Sequence, residues 1–133
     1  MRPEFRKALL AVSGAEQLEA RRDGLWMTAP NIDVLALAKM MHEREGRLST
    51  VTAACHKDGE TDLIYHYVLE GEAINVRART REKTIASVAP VTKAAEWIER
   101  EIHDFFGVSF EGHPGLERLL RPDPLPVGFF VTK

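Results

Sequence analysis

The chain has 133 residues, 44% of them hydrophobic and 29% charged, with a formal net charge of −2. That is the balance of a soluble globular domain long enough to close one core, and a net-negative chain is a poor bulk ligand for nucleic acid or anionic lipid. A single cysteine, Cys55, excludes an intramolecular disulfide and an all-cysteine metal site.

No run approaches the roughly 18 apolar residues of a membrane span. Met1-Arg2-Pro3-Glu4 has no apolar core behind it, so no signal peptide is expected and the cytoplasm is the expected compartment.

Pro3 to Val12 reads as a short helix, with Phe5, Ala8, Leu9 and Val12 on one face. Arg22-Asp23-Gly24 between two short runs, Gln17–Arg21 and Leu25–Ala29, predicts a hairpin. Asn31 is the expected N-cap of a second helix with Asp33 in its first turn. Val34, Leu35, Leu37, Ala38 and Met41 form its apolar stripe, and Gly46 is its expected stop. Leu48 to His56 reads as a strand, and Cys55 within it as a small buried residue.

After a turn at residues 57–60, Asp62 to Leu69 is a strand with two largely apolar faces, which predicts a central position. Glu70-Gly71 turns the chain into Ala73–Arg79, where Ile74, Val76 and Ala78 alternate with Asn75, Arg77 and Arg79, a strand with one wet face. Thr80 to Pro90 is expected to be irregular or briefly helical.

A last helix is predicted over Val91–Phe106, with Ala94, Ala95, Ile98, Ile102, Phe105 and Phe106 on one arc and Gly107 as C-cap. Its polar arc, including Arg100 and Asp104, is expected to face away from the core. The tail carries Pro122, Pro124 and Pro126, which forbid regular structure. The order α-β-β-α-β-β-β-α is that of an α+β two-layer domain. A mainly antiparallel sheet, built of a hairpin and a three-stranded meander, is covered by helices. Residues 1–120 form this domain and residues 121–133 an irregular Pro-rich tail.

The chain holds no Gly-rich phosphate loop and no Gly-x-Ser-x-Gly elbow. Cys55 and His56 are strand neighbours that point to opposite faces, a poor nucleophile–base pair. Glu99 and His103 are four apart on a helix. They are read as an i, i+4 side-chain pair, with a metal-dependent hydrolase as a remote alternative. Glu96–Arg100 and Arg100–Asp104 have the same spacing, either as a solvated face or, functionally, within a subunit interface. His66 is read as a core histidine. His66 with Arg77 near the sheet supplies the alternative of a freestanding small-molecule-binding domain.

Trp97 to Leu120 closely resembles the signature of the C subunit of NADH–quinone oxidoreductase, a peripheral-arm component of respiratory complex I, and of its homologues in energy-converting membrane-bound nickel–iron hydrogenases. The residues that carry the resemblance are Glu99-Arg100-Glu101, Asp104-Phe105-Phe106-Gly107, Phe110, Gly112-His113-Pro114, Leu116 and Arg118-Leu119-Leu120. Ile64-Tyr65-His66-Tyr67 and Ile74-Asn75-Val76-Arg77 resemble the family's paired strands, and Ala94-Ala95-Glu96-Trp97 its entry into the signature helix.

Glu117 stands where a basic residue is usual, and Gly115 where an aspartate is common. The second Gly-His-Pro stretch of respiratory members is missing. Ile102-His103 and the short tail look more like the hydrogenase-linked branch.

The resemblance implies a non-catalytic assembly subunit that docks on a large catalytic subunit beside iron–sulfur subunits, on the cytoplasmic face of the membrane without inserting into it. It implies no cofactor in this chain. Iron–sulfur clusters, a nickel–iron centre or flavin would belong to partner subunits. Glu99, Arg100, Glu101, Asp104, Gly112, His113, Pro114 and Arg118 are the implied interface residues. No nucleic-acid partner is implied.

Overall fold

A computed structural model of the chain describes residues 19–114 together with Lys7, Leu9 and Ala11. Most of the expected first helix lies outside these residues, as do Arg118 and the Pro-rich tail. Lys7, Leu9 and Ala11 are helical, and Leu9 is fully buried, in keeping with its place on the apolar face.

Strands β1 (Glu19–Arg21) and β2 (Gly24–Thr28) form the expected antiparallel hairpin. Gly24 is demanded twice over: its φ is 123°, and a Cβ there would sit 2.5 Å from the carbonyl oxygen of Ala73. Helix α1 (Val34–Glu43) is capped by Asp33 rather than Asn31. The Asp33 carboxylate accepts from the amides of Leu35 and Ala36 at 3.1 and 3.0 Å. Asn31 belongs to the preceding turn, closed by the Ile32 amide on Ala29 O.

Met40 joins Val34, Leu37, Ala38 and Met41 in the core, while Leu35 is only partly buried. At the helix end Glu45, not Gly46, takes the left-handed conformation, with φ 60°. The Gly46 amide closes the turn on Met41 O at 2.7 Å.

Strands β3 (Arg47–Cys55), β4 (Thr61–Leu69) and β5 (Glu72–Arg79) form the antiparallel meander. β2 then pairs in parallel with β5, Leu25 opposite Ile74, so hairpin and meander fuse into one five-stranded sheet of order β1-β2-β5-β4-β3. β4 lies between two strands, as its two apolar faces anticipate. Leu63, Tyr65 and Tyr67 share one face with Ile74, Val76, Ala78, Leu25 and Met27, and all are buried. Cys55 is exposed rather than buried. It ends the edge strand β3, where only one side has a neighbour.

The stretch after Thr80 contains a short strand β6 (Thr84–Ala86), which pairs in parallel with β7 (Ser109–Glu111). Between them runs α2 (Ala95–Phe106), which starts four residues later than the periodicity suggests and ends at Gly107 with φ 73°. β6, α2 and β7 thus form a small β-α-β unit.

The buried arc of α2 differs from the expectation. Ala95 and Ile102 are buried, and Ile98 and Phe106 pack partly on the core, but Phe105 is only half-buried. Glu99 and Asp104 are both 0% exposed. The expectation that Asp104 lies on a wet arc is corrected, and two acids of the helix face inward.

Candidate functional site

Glu99 is the point at which the β-α-β unit is tied together. The segment leaving β6 brings Ser87 and Val88 under α2. The Ser87 hydroxyl donates to Glu99 Oε1 at 2.5 Å, and the Val88 amide donates to Oε2 at 2.9 Å. The Ala89 amide in turn donates to Ser87 Oγ at 3.1 Å, which orients the hydroxyl. From the far side, the loop after β7 brings in His113, whose side chain is fully buried with Nε2 3.9 Å from Glu99 Oε1. The same Nε2–H donates to Glu96 O at 2.9 Å.

Burial raises the Glu99 carboxyl above its usual range, against the hydrogen bonds from Ser87 and Val88 and the nearby His113, which favour the charged form. Tyr65 and Tyr67 are buried on the facing strand. Burial first, then the neighbouring Glu99 charge, raises both phenols above their ordinary value.

The expected pairing of Glu99 with His103 is not made. His103 Nδ1–H donates to Val108 O at 2.8 Å, away from the carboxylate. Among the described residues no group of three or more His, Cys, Asp or Glu side chains is placed to hold a metal. Among the same residues no ion pair joins Arg100 to Glu96 or to Asp104.

On the outer side of α2 the indole of Trp97, 52% exposed, instead donates to Glu101 Oε2 at 3.1 Å. Arg100, one turn from Trp97, is partly buried. Its Nε is shielded from solvent with no hydrogen-bond partner among the described residues. Gly112 and Pro114 are exposed beside the buried His113 side chain.

The other face of the sheet carries a second polar group. Asp62 accepts from Arg77 Nη1 and Arg79 Nε, both at 2.7 Å. Burial alone would raise the Asp62 carboxyl, but the hydrogen bonds from Arg79 and Arg77 outweigh it and hold the group below its usual value. His66 Nδ1–H donates to Asn75 Oδ1 at 2.6 Å, and Thr52 Oγ1 meets His66 Nε2 at 2.8 Å. Asn75 Nδ2 donates to Leu25 O at 3.1 Å. His66 thus sits on the face away from the helices, with both ring nitrogens engaged. It offers a small molecule no open nitrogen.

Residues 27–129 match the family described as respiratory-chain NADH dehydrogenase, 30 Kd subunit. The chain belongs to this family. It is 40% identical over 103 residues to the C subunit of the NADH-quinone oxidoreductase of Jannaschia sp. (68% of this chain, 50% of that protein). It is 37% identical over 82 residues to the corresponding C subunit of Cereibacter sphaeroides (58% and 41%). The chain spans about half or less of the length of these relatives.

Among solved structures, a chain of an archaeal respiratory membrane complex, the membrane-bound sulfane sulfur reductase, superposes with a TM-score of 0.71 at 28% identity, covering 91% of this chain and 77% of that one. A trypsin-resistant fragment (1-134) of Nqo5 shares the fold, with a TM-score of 0.69 at 22% identity, covering 87% and 100%.

The family signature therefore spans residues of opposite placement in this chain. Glu99, Asp104 and the His113 side chain are enclosed, whereas Arg100, Glu101, Gly112 and Pro114 reach the surface at least in part. Sequence reasoning missed Ser87 and the Asp62–Arg77–Arg79 cluster. The cluster had a signal, because a two-residue turn at Glu70-Gly71 sets Asp62 opposite Arg79. Ser87 had none, since it acts through a fold-dependent approach to α2. Among the described residues no helix is long and apolar enough to cross a membrane.

Proposed function

We propose that the chain is a non-catalytic docking subunit of a complex I-like NADH–quinone oxidoreductase or related energy-converting complex. It binds the large catalytic subunit through the outer side of α2 and the loop at Gly112 and Pro114. The observation that carries this reading is Arg100. Its Nε is shielded from water yet unbonded among the described residues, beside the exposed Trp97. A desolvated donor without an acceptor is costly in the free chain, and a partner carboxylate or carbonyl would satisfy it. Arginine and tryptophan are also the common anchors of protein interfaces.

Electron transfer in this reading runs through iron–sulfur, flavin or nickel–iron centres of neighbouring subunits, with none in this chain. The assembly sits on the cytoplasmic face of the membrane. The named relatives are respiratory proteins, so the hydrogenase-linked branch has the weaker support.

The test is co-expression of the full chain with the large subunit of its own complex. Arg100→Ala should lower recovery of the complex about tenfold or more, with the melting temperature of the free chain little changed. His113→Ala should lower the stability of the chain itself. Unchanged recovery with Arg100→Ala rejects the α2 surface. Stoichiometric metal or flavin, or NADH oxidation by the chain alone, rejects the non-catalytic reading.

A further inference from the structure

The sheet face turned away from the core is covered by no helix or strand among the described residues, and two of its arginines, Arg77 and Arg79, stand over one buried carboxylate. Arg21, Arg47, Arg77 and Arg79 stand on it with the carboxylates Glu19 and Asp62, while Asp23 meets Trp26 at one end and Asp58 lies near Arg79 at the other, in a chain whose total charge is −2. The Asp62 side chain is only 5% exposed beneath Arg77 and Arg79, which are 37% and 27% exposed. Solvent therefore meets guanidinium groups rather than the carboxylate they share. Each arginine uses one of its five N–H donors on Asp62, so both retain donors for a second acceptor.

Trp26 lies on the same face and is held from three sides. Its indole N–H donates to Asp23 Oδ1 at 2.8 Å, the Arg21 guanidinium lies 4.9 Å from its ring centre, and His66 meets it edge-on at 6.3 Å. Thr52 and Asn75 fix His66 in turn. Side chains ordered in advance lose less entropy when a partner arrives.

We propose that this sheet face docks a carboxylate-bearing segment of a partner polypeptide, seated on Arg77 and Arg79 with Trp26 as its aromatic contact. The inference rests on the reading of the chain as a subunit of a larger complex, but uses the side of the sheet away from α2. Arginine matches carboxylates with paired hydrogen bonds. The face holds one fixed tryptophan rather than a row of stacking aromatics, and the rest of the chain is net negative. Both features favour an acidic polypeptide over nucleic acid or anionic lipid.

Thr28, exposed and paired with Arg77 across β2 and β5, provides the variant. Thr28→Glu offers Arg77 a carboxylate from within the chain, and Thr28→Gln is the uncharged control. The full chain is assembled with the other subunits of its complex, and oxidation of Trp26 and Trp97 by hydroxyl radicals is compared between free and assembled chain. Trp26 oxidation should fall about fivefold on assembly. Thr28→Glu should weaken retention about tenfold relative to Thr28→Gln, as expected for loss of a charged anchor.

Trp26 equally oxidised in both states, with Trp97 protected, overturns this proposal and leaves the α2 docking reading intact. Neither tryptophan protected overturns both. Protection of Trp26 by phosphatidylserine vesicles or a short oligonucleotide, but not by assembly, assigns the face to another partner class and also overturns it. The wild-type footprint decides the matter even if Thr28→Glu fails to fold.

Discussion

Glu99→Ala should be among the most damaging single changes in the described chain, although it removes a charged residue from the outer strand–helix–strand unit. The carboxylate accepts from Ser87 Oγ and the Val88 amide. Each hydrogen bond to a charged group contributes about 1.5–3 kcal/mol. Truncation also leaves a buried N–H and hydroxyl to find new acceptors. Relief from burying a charge offsets part of this, and the net loss should be about 3–5 kcal/mol. A typical domain has only about 5–15 kcal/mol in total.

Glu99→Gln keeps the shape and one acceptor, and should cost about 1–2 kcal/mol near neutral pH. It also removes a pH dependence. Burial raises the Glu99 carboxyl above its ordinary value, so the native chain holds that proton more tightly than the unfolded one. Its contribution is fully present below the unfolded value and is lost as pH rises through the raised native value. Wild type should therefore gain on Glu99→Gln as pH falls from about 7 to about 4.5. Guanidinium unfolding at the two pH values measures both effects through the midpoint and slope. An alanine cost below about 1 kcal/mol, or a wild-type-to-Gln difference that ignores pH, would refute the assignment of Glu99 as the tie.

Gly24→Ala should cost about 1–3 kcal/mol because its new Cβ runs into backbone at Ala73. Gly59→Ala, with positive φ but open space around it, should cost less. Equal shifts in thermal unfolding would argue against the Ala73 contact. Asp62→Asn should cost about 1–2 kcal/mol near neutral pH, a figure kept small because Arg77 and Arg79 are partly exposed. The Asp62 carboxyl is lowered, so its contribution is present above the unfolded value and lost as pH falls through the lowered native one. The difference between wild type and Asn should therefore shrink as acid protonates the carboxyl, and a difference that grew as the pH fell would contradict the ion pairs. Ile102→Ala should cost about 2–5 kcal/mol. Phe105→Ala should cost less despite its larger side chain, since it is half-buried. The reverse order in denaturant midpoints would mean that the inward arc of α2 is misassigned.

The meander and hairpin were legible in the sequence because alternation and two-residue turns operate within a few neighbours. The same turns implied the register that sets Asp62 against Arg79. The parallel pairing of β2 with β5 was not legible, since nothing local in Leu25–Thr28 names a partner near Ile74. Strands β6 and β7, three residues each, are too short for any period to register.

The inward placement of Glu99 and Asp104 escaped for a physical reason. A hydrophobicity pattern assigns acids to water, and only the approach of Ser87 and Val88 gives Glu99 the partners that make burial tolerable. The family signature was read from residue identity, which does not say which of its members face in and which face out.

The β2–β5 pairing has a consequence for the order in which the chain acquires its structure. β3, β4 and β5 meet through short turns, whereas Leu25 must wait for Ile74. The intervening loop contains all of α1 and two strands, and its closure entropy opposes early docking of β2. On a ribosome the hairpin emerges first and spends synthesis time without its neighbour. In refolding, the meander should gain amide protection before Leu25–Thr28, and pulsed hydrogen exchange would contradict this if both were protected together. Until β2 arrives, β5 presents a bare edge next to the apolar row Ile74, Val76 and Ala78. That interval is when the chain is most prone to pair with the wrong strand.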